Sequence, residues 1–87
     1  MRVGVVGVGY LGRFHARIYN DMPNVVLVGV ADTDPQAAQA AAEAHGCKAY
    51  TDSIELVDKI DAVSIVVPTV SHLQVARPFL ERGVHML

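Results

Sequence analysis

The chemistry-bearing residues of this sequence begin with three glycines, Gly7, Gly9 and Gly12, spaced G-x-G-x-x-G across Gly7-Val8-Gly9-Tyr10-Leu11-Gly12. In such a turn the first glycine permits a tight reversal and the second lets a pyrophosphate approach the backbone. The third lets a following helix lie close on the preceding strand. Backbone N–H groups at Tyr10 and Leu11 would join the positive end of that helix in holding the phosphates. Three glycines can also serve turn geometry and nothing more. Asp32 adds context, because it stands about 20 positions beyond Gly12, at the end of a second apolar run. There a carboxylate would accept hydrogen bonds from the adenosine ribose of a dinucleotide. The plainer reading of Asp32 is a turn or helix-capping residue, a role for which Thr33 and Asp34 compete. As a ribose acceptor it would repel a 2′-phosphate, and Thr33 and Asp34 offer no cation, so NAD is expected ahead of NADP. Arg13 could soften that bias.

Elsewhere the reactive side chains are dispersed. His72 follows Pro68-Thr69-Val70-Ser71, just beyond a strand's carboxyl end, where parallel sheets bind ligands. It reads either as a groove residue or as an exposed residue of a first helical turn. His15 reads as a packed or half-exposed helix histidine, and Asp61 as a turn residue at the opposite edge. His45 and Cys47, two apart near a helix end, lack clear partners for a metal. No Ser-His-Asp or Cys-His set emerges from order or spacing. No catalytic residue and no metal ligand is therefore assigned.

The elements that must position these residues can be read from the apolar pattern. Val3, Val5, Val6 and Val8 make a strand over about 2–7, buried on both faces. Leu11, Phe14 and Ile18 recur at helical spacing until Pro23 stops the pattern. A second strand, 25–31, hands over to a helix capped by Asp34, opened by Pro35 and closed by Gly46. Lys48-Ala49-Tyr50 is a minimal strand, and Asp52-Ser53-Ile54-Glu55 starts a short helix reaching about Lys59. The next strand, 62–67, exits at Pro68, after which Ser71 and Gln74 box the start of a last helix. Pro78 should bend that helix, Gly83 should close it, and residues 84–87 begin a fifth strand. Strict alternation of strand and helix predicts an α/β domain with a doubly wound parallel sheet, and as a dinucleotide fold it is expected in the order 3-2-1-4-5.

Composition agrees with one small globular domain. The chain has 87 residues, 52% of them hydrophobic and 18% charged, too apolar and too weakly charged for disorder. A net charge of −2 with scattered basic residues excludes a nucleic-acid-binding patch. No apolar run approaches the ~20 residues that cross a bilayer, and glycines break the start too often for a secretory signal. One cysteine fits a reducing compartment, so a soluble, cytoplasmic chain is expected.

Taken together, these residues resemble the N-terminal cofactor domain of the Gfo/Idh/MocA family, named for glucose-fructose oxidoreductase, inositol dehydrogenase and a rhizopine-catabolism protein. The resemblance covers all 87 residues. It rests on residues 7–16, on Val30-Ala31-Asp32-Thr33-Asp34-Pro35, on Asp61-Ala62-Val63-Ser64-Ile65 with Pro68, Thr69 and His72, and on Gly83-Val84-His85-Met86-Leu87. It implies a Rossmann-like domain and an NAD(P)-dependent oxidoreductase of sugars, cyclitols or related alcohols. It also implies pyrophosphate contact at Gly9 to Leu11, ribose contact at Asp32, and a groove lined by Pro68, Thr69 and His72. Pro78 is less usual in the corresponding helix of the family.

Family members continue past the fifth strand into a Glu-Lys-Pro motif, whose lysine serves near the reacting carbon, and then into a mostly β substrate domain. Residues 1–87 are thus expected to be a fragment, a dinucleotide-binding domain truncated after its fifth strand and inactive alone. The fifth strand's outer edge would expose unpaired backbone groups, a route to self-association. The alternative is a non-catalytic NAD-sensing module, in which ligand binding shifts an assembly.

Overall fold

β-branched runs form the strands and alanine-rich or amphipathic runs the helices, in strict alternation. The computed structural model describes residues 1–7 and 9–87, with the side chains of Tyr10, Leu11, Arg13, Phe14 and Thr69, like Val8, outside the described residues. The strands are β1 (Arg2–Val6), β2 (Val26–Ala31), β3 (Lys48–Tyr50), β4 (Ala62–Ile65) and β5 (His85–Met86). Between them run α1 (Tyr10–Asp21), α2 (Pro35–His45), a 3₁₀ turn (Ser53–Leu56) and α3 (Thr69–Glu81). All pairings are parallel and the strand order is β3-β2-β1-β4-β5, the doubly wound sheet expected from the sequence.

Two apolar layers hold the sheet between its helices. Val3, Val5, Leu27 and Val30 meet Ala16, Ala41 and Ala42 of α1 and α2 on one face. Val6, Ala31 and Val63 meet Leu56, Val57, Ile60 and Phe79 on the other. Burial on both faces explains why the strands read as unbroken apolar runs. α2 keeps its expected signals: the Asp34 carboxylate accepts from the N–H groups of Gln36 (3.0 Å) and Ala37 (3.4 Å), Pro35 opens the helix, and Gly46 (φ 66°) closes it.

Four local expectations are corrected. The helix expected to run from Asp52 to about Lys59 is only a 3₁₀ turn: Glu55 N–H donates to Asp52 C=O (3.1 Å), Val57 N–H to Ile54 C=O (3.2 Å) and Lys59 N–H to Leu56 C=O (2.9 Å), each three residues back. α3 begins at Thr69, two residues before the Ser71 box. The carbonyl of Pro68 accepts from Ser71 N–H at 2.9 Å, so backbone starts the helix and no side chain is needed. The strand leading to it ends at Ile65, short of Val67. On α1 the expected stripe places Ile18 inward, yet Ile18 is exposed and Ala16 is buried; Leu11 and Phe14 lie outside the described residues. Pro78 lies within α3, which continues to Glu81.

Asp61 does more than turn the chain. Its carboxylate accepts from Arg2 N–H (2.9 Å) and from the Arg2 guanidinium (3.1 Å), its own N–H donates to Arg2 C=O (2.7 Å), and its C=O accepts from His85 N–H (3.0 Å). The amino ends of β1, β4 and β5 are thereby joined. Hydrogen bonding by the Arg2 side chain, then by its backbone N–H, holds the Asp61 carboxyl below the usual aspartate range. A lowered folded value contributes stability above the unfolded value and loses it as pH falls through the folded one. Asp61→Asn should therefore show a flatter acid limb than the parent as pH falls through and below the usual aspartate range in denaturant titrations, by a small margin because both partners are half-exposed. Identical acid limbs would remove Asp61 from the account of acid sensitivity.

Candidate functional site

Parallel strands bring their carboxyl ends to one edge, so the sheet order also orders the loops along that edge. Across it lies a groove of about 210 Å³. Thr51 and Ser53 line it after β3, Asp32 and Thr33 after β2, Gly7 and Gly9 after β1, and Val66, Val67 and Pro68 after β4. Val75 closes the last end from α3. The wall therefore passes from hydroxyl and carboxylate, over the glycine turn, to apolar side chains.

The glycine turn is built by contacts that exclude side chains. Gly7 has φ 88° and donates to Ala31 C=O at 2.8 Å, and a Cβ on it would overlap the carbonyl oxygen of Val66. A Cβ on Gly12 would overlap the carbonyl oxygen of Gly7, so α1 can lie against β1 only if residue 12 has no side chain. Gly9 is different. A Cβ there would meet nothing within 4 Å, and as N-cap of α1 it supplies no side-chain acceptor to the first turn. The open space in front of Gly9 and the uncapped N–H groups behind it are what an approaching anion needs.

Asp32 is half-buried at the groove lip. One carboxylate oxygen accepts from Asp34 N–H at 2.9 Å, and its own N–H donates to Tyr50 C=O at 3.0 Å. Helix capping belongs to Asp34, while Asp32 makes the turn that leads into it. Among the described residues lining the groove, Asp32 is the one that carries charge.

Of the residues singled out in the sequence, Gly7, Gly9, Asp32 and Pro68 come together around the groove, and Gly12 lies buried under the turn. Tyr10 and Leu11 open α1, and Thr69 opens α3, with side chains outside the described residues. His72 is exposed on the first part of α3 and is not among the residues lining the groove. His15, read as a packed helix residue, is half-buried with Nδ1 2.6 Å from the Ser64 hydroxyl oxygen. Ser64, 1% exposed in an otherwise apolar strand, thus finds a partner on α1. Burial pushes the Cys47 thiol up, against any role as a reactive thiolate. Among the described residues no three His, Cys, Asp or Glu side chains gather as a metal site requires, and no helix is long and apolar enough to cross a membrane.

Sequence reasoning missed Thr51 and Ser53. The signal was available, since the rule that ligands meet strand carboxyl ends applies to the third strand as well as to the first, second and fourth.

Comparison with known proteins places these features in context. The model of an oxidoreductase family with an NAD-binding Rossmann fold, GFO_IDH_MocA, matches residues 1–87. The chain is 47% identical over 88 residues to UDP-N-acetylglucosamine 3-dehydrogenase of Acidithiobacillus ferrooxidans, a match covering 100% of this chain and 27% of the relative. It is 40% identical to inositol 2-dehydrogenase of Rhizobium meliloti over 84 residues, 95% of this chain and 26% of that one. Among solved structures, that of the Acidithiobacillus enzyme superposes with TM-score 0.92 at 44% identity, covering 100% of this chain and 28% of its own. Scyllo-inositol dehydrogenase from Lactobacillus casei, solved with NAD(H) and scyllo-inositol, superposes with TM-score 0.89 at 30% identity, covering 99% and 26%. The chain thus spans about a quarter of the length of these relatives.

The glycines should separate in unfolding experiments. Gly12→Ala is expected to cost about 3 kcal/mol, because helix and strand must be forced apart. Gly9→Ala should stay within about 0.5 kcal/mol of the parent, since its Cβ meets open space. Urea titrations followed by circular dichroism measure both, and equal losses at the two positions would contradict the geometry.

Proposed function

We propose a function for this chain from one premise: it belongs to the Gfo/Idh/MocA oxidoreductase family, whose model spans its residues 1–87. The chain is the dinucleotide-binding part of an enzyme that moves hydride between a nicotinamide cofactor and a sugar, cyclitol or related alcohol. The observation that carries this reading is the groove. It runs from Asp32 past the open face of Gly9 to the apolar wall of Val66, Val67 and Pro68, and its residues fit a ribose, a pyrophosphate and a ring in that order.

Each residue type suits its part. The Asp32 carboxylate can accept from ribose hydroxyls while one of its oxygens stays fixed by Asp34 N–H. N–H groups of the first turn of α1 can hold phosphate oxygens without competition from a capping side chain. Val66, Val67, Pro68 and Val75 keep water from the end where the ring would lie. Thr69 and His72 are included on the family resemblance alone. When bound, the nicotinamide supplies the hydride acceptor or donor, and the chain's own share is binding and orientation.

Among the described residues, the groove lining contains no histidine, lysine, cysteine or tyrosine to take the proton of an alcohol. Substrate recognition and the catalytic base are accordingly proposed to lie in polypeptide beyond these 87 residues, consistent with relatives about four times as long. The cytoplasm is the proposed location.

NAD should bind at least about tenfold more tightly than NADP, because the Asp32 carboxylate at the groove lip would repel a 2′-phosphate and the described residues lining the groove include no cation. Calorimetric titration of both cofactors into the chain and into Asp32→Ser checks this. The substitution should close the gap between them. Equal or tighter NADP binding by the parent, unchanged in the variant, would reduce Asp32 to a turn residue.

A further inference from the structure

We infer that the hydrogen bond between His15 and Ser64 fixes how α1 lies across the sheet and so aims its first-turn N–H groups, which makes both residues positioning residues for the phosphates of the cofactor. The inference rests on the cofactor reading above and adds to it two residues outside the groove lining.

Contacts along one side of α1 set its seat. At Gly12 the carbonyl oxygen of Gly7 leaves no room for a Cβ, which sets the distance between helix and β1. One turn further on, small Ala16 is buried among Val3 and Val5 of β1, Leu27 and Val30 of β2 and Ala62 of β4. Both contacts control how closely the helix approaches. Neither fixes its direction over the sheet, because steric exclusion and apolar burial are not directional.

His15 supplies the direction. Its Nδ1 lies 2.6 Å from the Ser64 hydroxyl oxygen, and such a bond weakens steeply as its angle is bent. Ser64 pairs with Val5 in the β1–β4 ladder and stands two residues after Ala62, so its side chain leaves the face of β4 that Ala62 turns to α1. At 1% exposure, Ser64 has no water to replace His15 if the bond breaks. Tyr19, one turn along the helix, meets the imidazole edge-on with ring centres 6.4 Å apart. The imidazole is thus held from helix and strand together.

From His15 to the phosphate-facing end the path is short. Leu11 is four residues away on the same helix, about 6 Å along its axis, and over one turn a helix moves as a rod. A roll or slide at His15 therefore reaches the N–H groups that begin α1. Phosphate oxygens accept only from donors at the right distance and angle, so affinity should follow that displacement. An apolar pair at 15 and 64 would fill the same space without fixing the angle.

The test uses the full chain. Amide chemical shift titrations give dissociation constants for NAD, inorganic pyrophosphate and adenosine in the parent, Ser64→Ala, His15→Ala and His15→Asn, with circular dichroism to check folding. The two alanine variants should weaken NAD and pyrophosphate by similar factors, about threefold to tenfold, and leave adenosine, which carries no phosphate, within about twofold. His15→Asn keeps a side-chain nitrogen near the place of Nδ1 and should bind both phosphate ligands more tightly than His15→Ala. Unchanged pyrophosphate binding in the folded alanine variants, an equal loss for adenosine, or no recovery in His15→Asn would overturn the inference. If the alanine variants do not fold, Ser64→Cys, which keeps the shape but bonds weakly, takes their place under the same criteria. A folded parent whose amides respond to neither NAD nor pyrophosphate would withdraw the cofactor reading itself, a failure visible before any variant is made.

Discussion

The carbonyl oxygen of Gly7 occupies the space that any side chain at residue 12 would need. That single exclusion sets the distance between α1 and β1, and much else follows. Because the helix lies so close, it can begin at Tyr10, only a few residues after β1 ends at Val6. Its first-turn N–H groups are consequently delivered to the carboxyl edge of the sheet. A turn further on, small Ala16 is buried against the strands while His15 reaches the hydroxyl of Ser64 on β4. Ile18, two residues and so about 200° around the helix from Ala16, faces away from the sheet and is exposed.

A parallel sheet has two unlike edges, and here they are used differently. At the amino edge, Arg2 and Asp61 exchange backbone and side-chain hydrogen bonds, and Asp61 passes a further bond to β5 through His85. These contacts tie the starts of three strands together. At the carboxyl edge, Gly7 N–H is satisfied by Ala31 C=O, Val66 N–H by Val6 C=O and Asp32 N–H by Tyr50 C=O. The strand ends are pinned to one another, and the side chains just beyond them form a wall. Fold stability and ligand recognition can thus be altered separately, except at Gly7 and Gly12, where the turn serves both.

Much of this architecture was legible in the sequence because it depends on local signals. The Asp34-Pro35 start and Gly46 stop of α2 and the minimal β3 follow from short-range residue chemistry, and the strand order from the fold that the glycine turn implies. What was not legible depended on tertiary demand. Ser71 and Gln74 have the spacing of a helix box, yet Pro68 C=O captures Ser71 N–H and starts α3 earlier. Residues 53–59 have a cap and an apolar pattern that would suit a helix, but their backbone closes three-residue bonds, Val57 N–H to Ile54 C=O and Lys59 N–H to Leu56 C=O, which no side-chain spacing announces. At the site, the glycines and Asp32 were visible as a pattern. Thr51 and Ser53 carry no pattern, and only the pairing of β2 with β3 brings them to the groove.

The central claim is that one edge of this sheet is built to hold a dinucleotide across the glycine turn. Amide chemical shifts of the ¹⁵N-labelled chain, followed first with inorganic pyrophosphate and then with NAD, address it most directly. Pyrophosphate should move the amides of residues 9–11, and NAD should extend the changes to 32–33 on one side and 66–68 on the other. Shifts centred instead on the amino edge, around Asp61 and His85, or absent from the glycine turn at saturating NAD, would contradict the account.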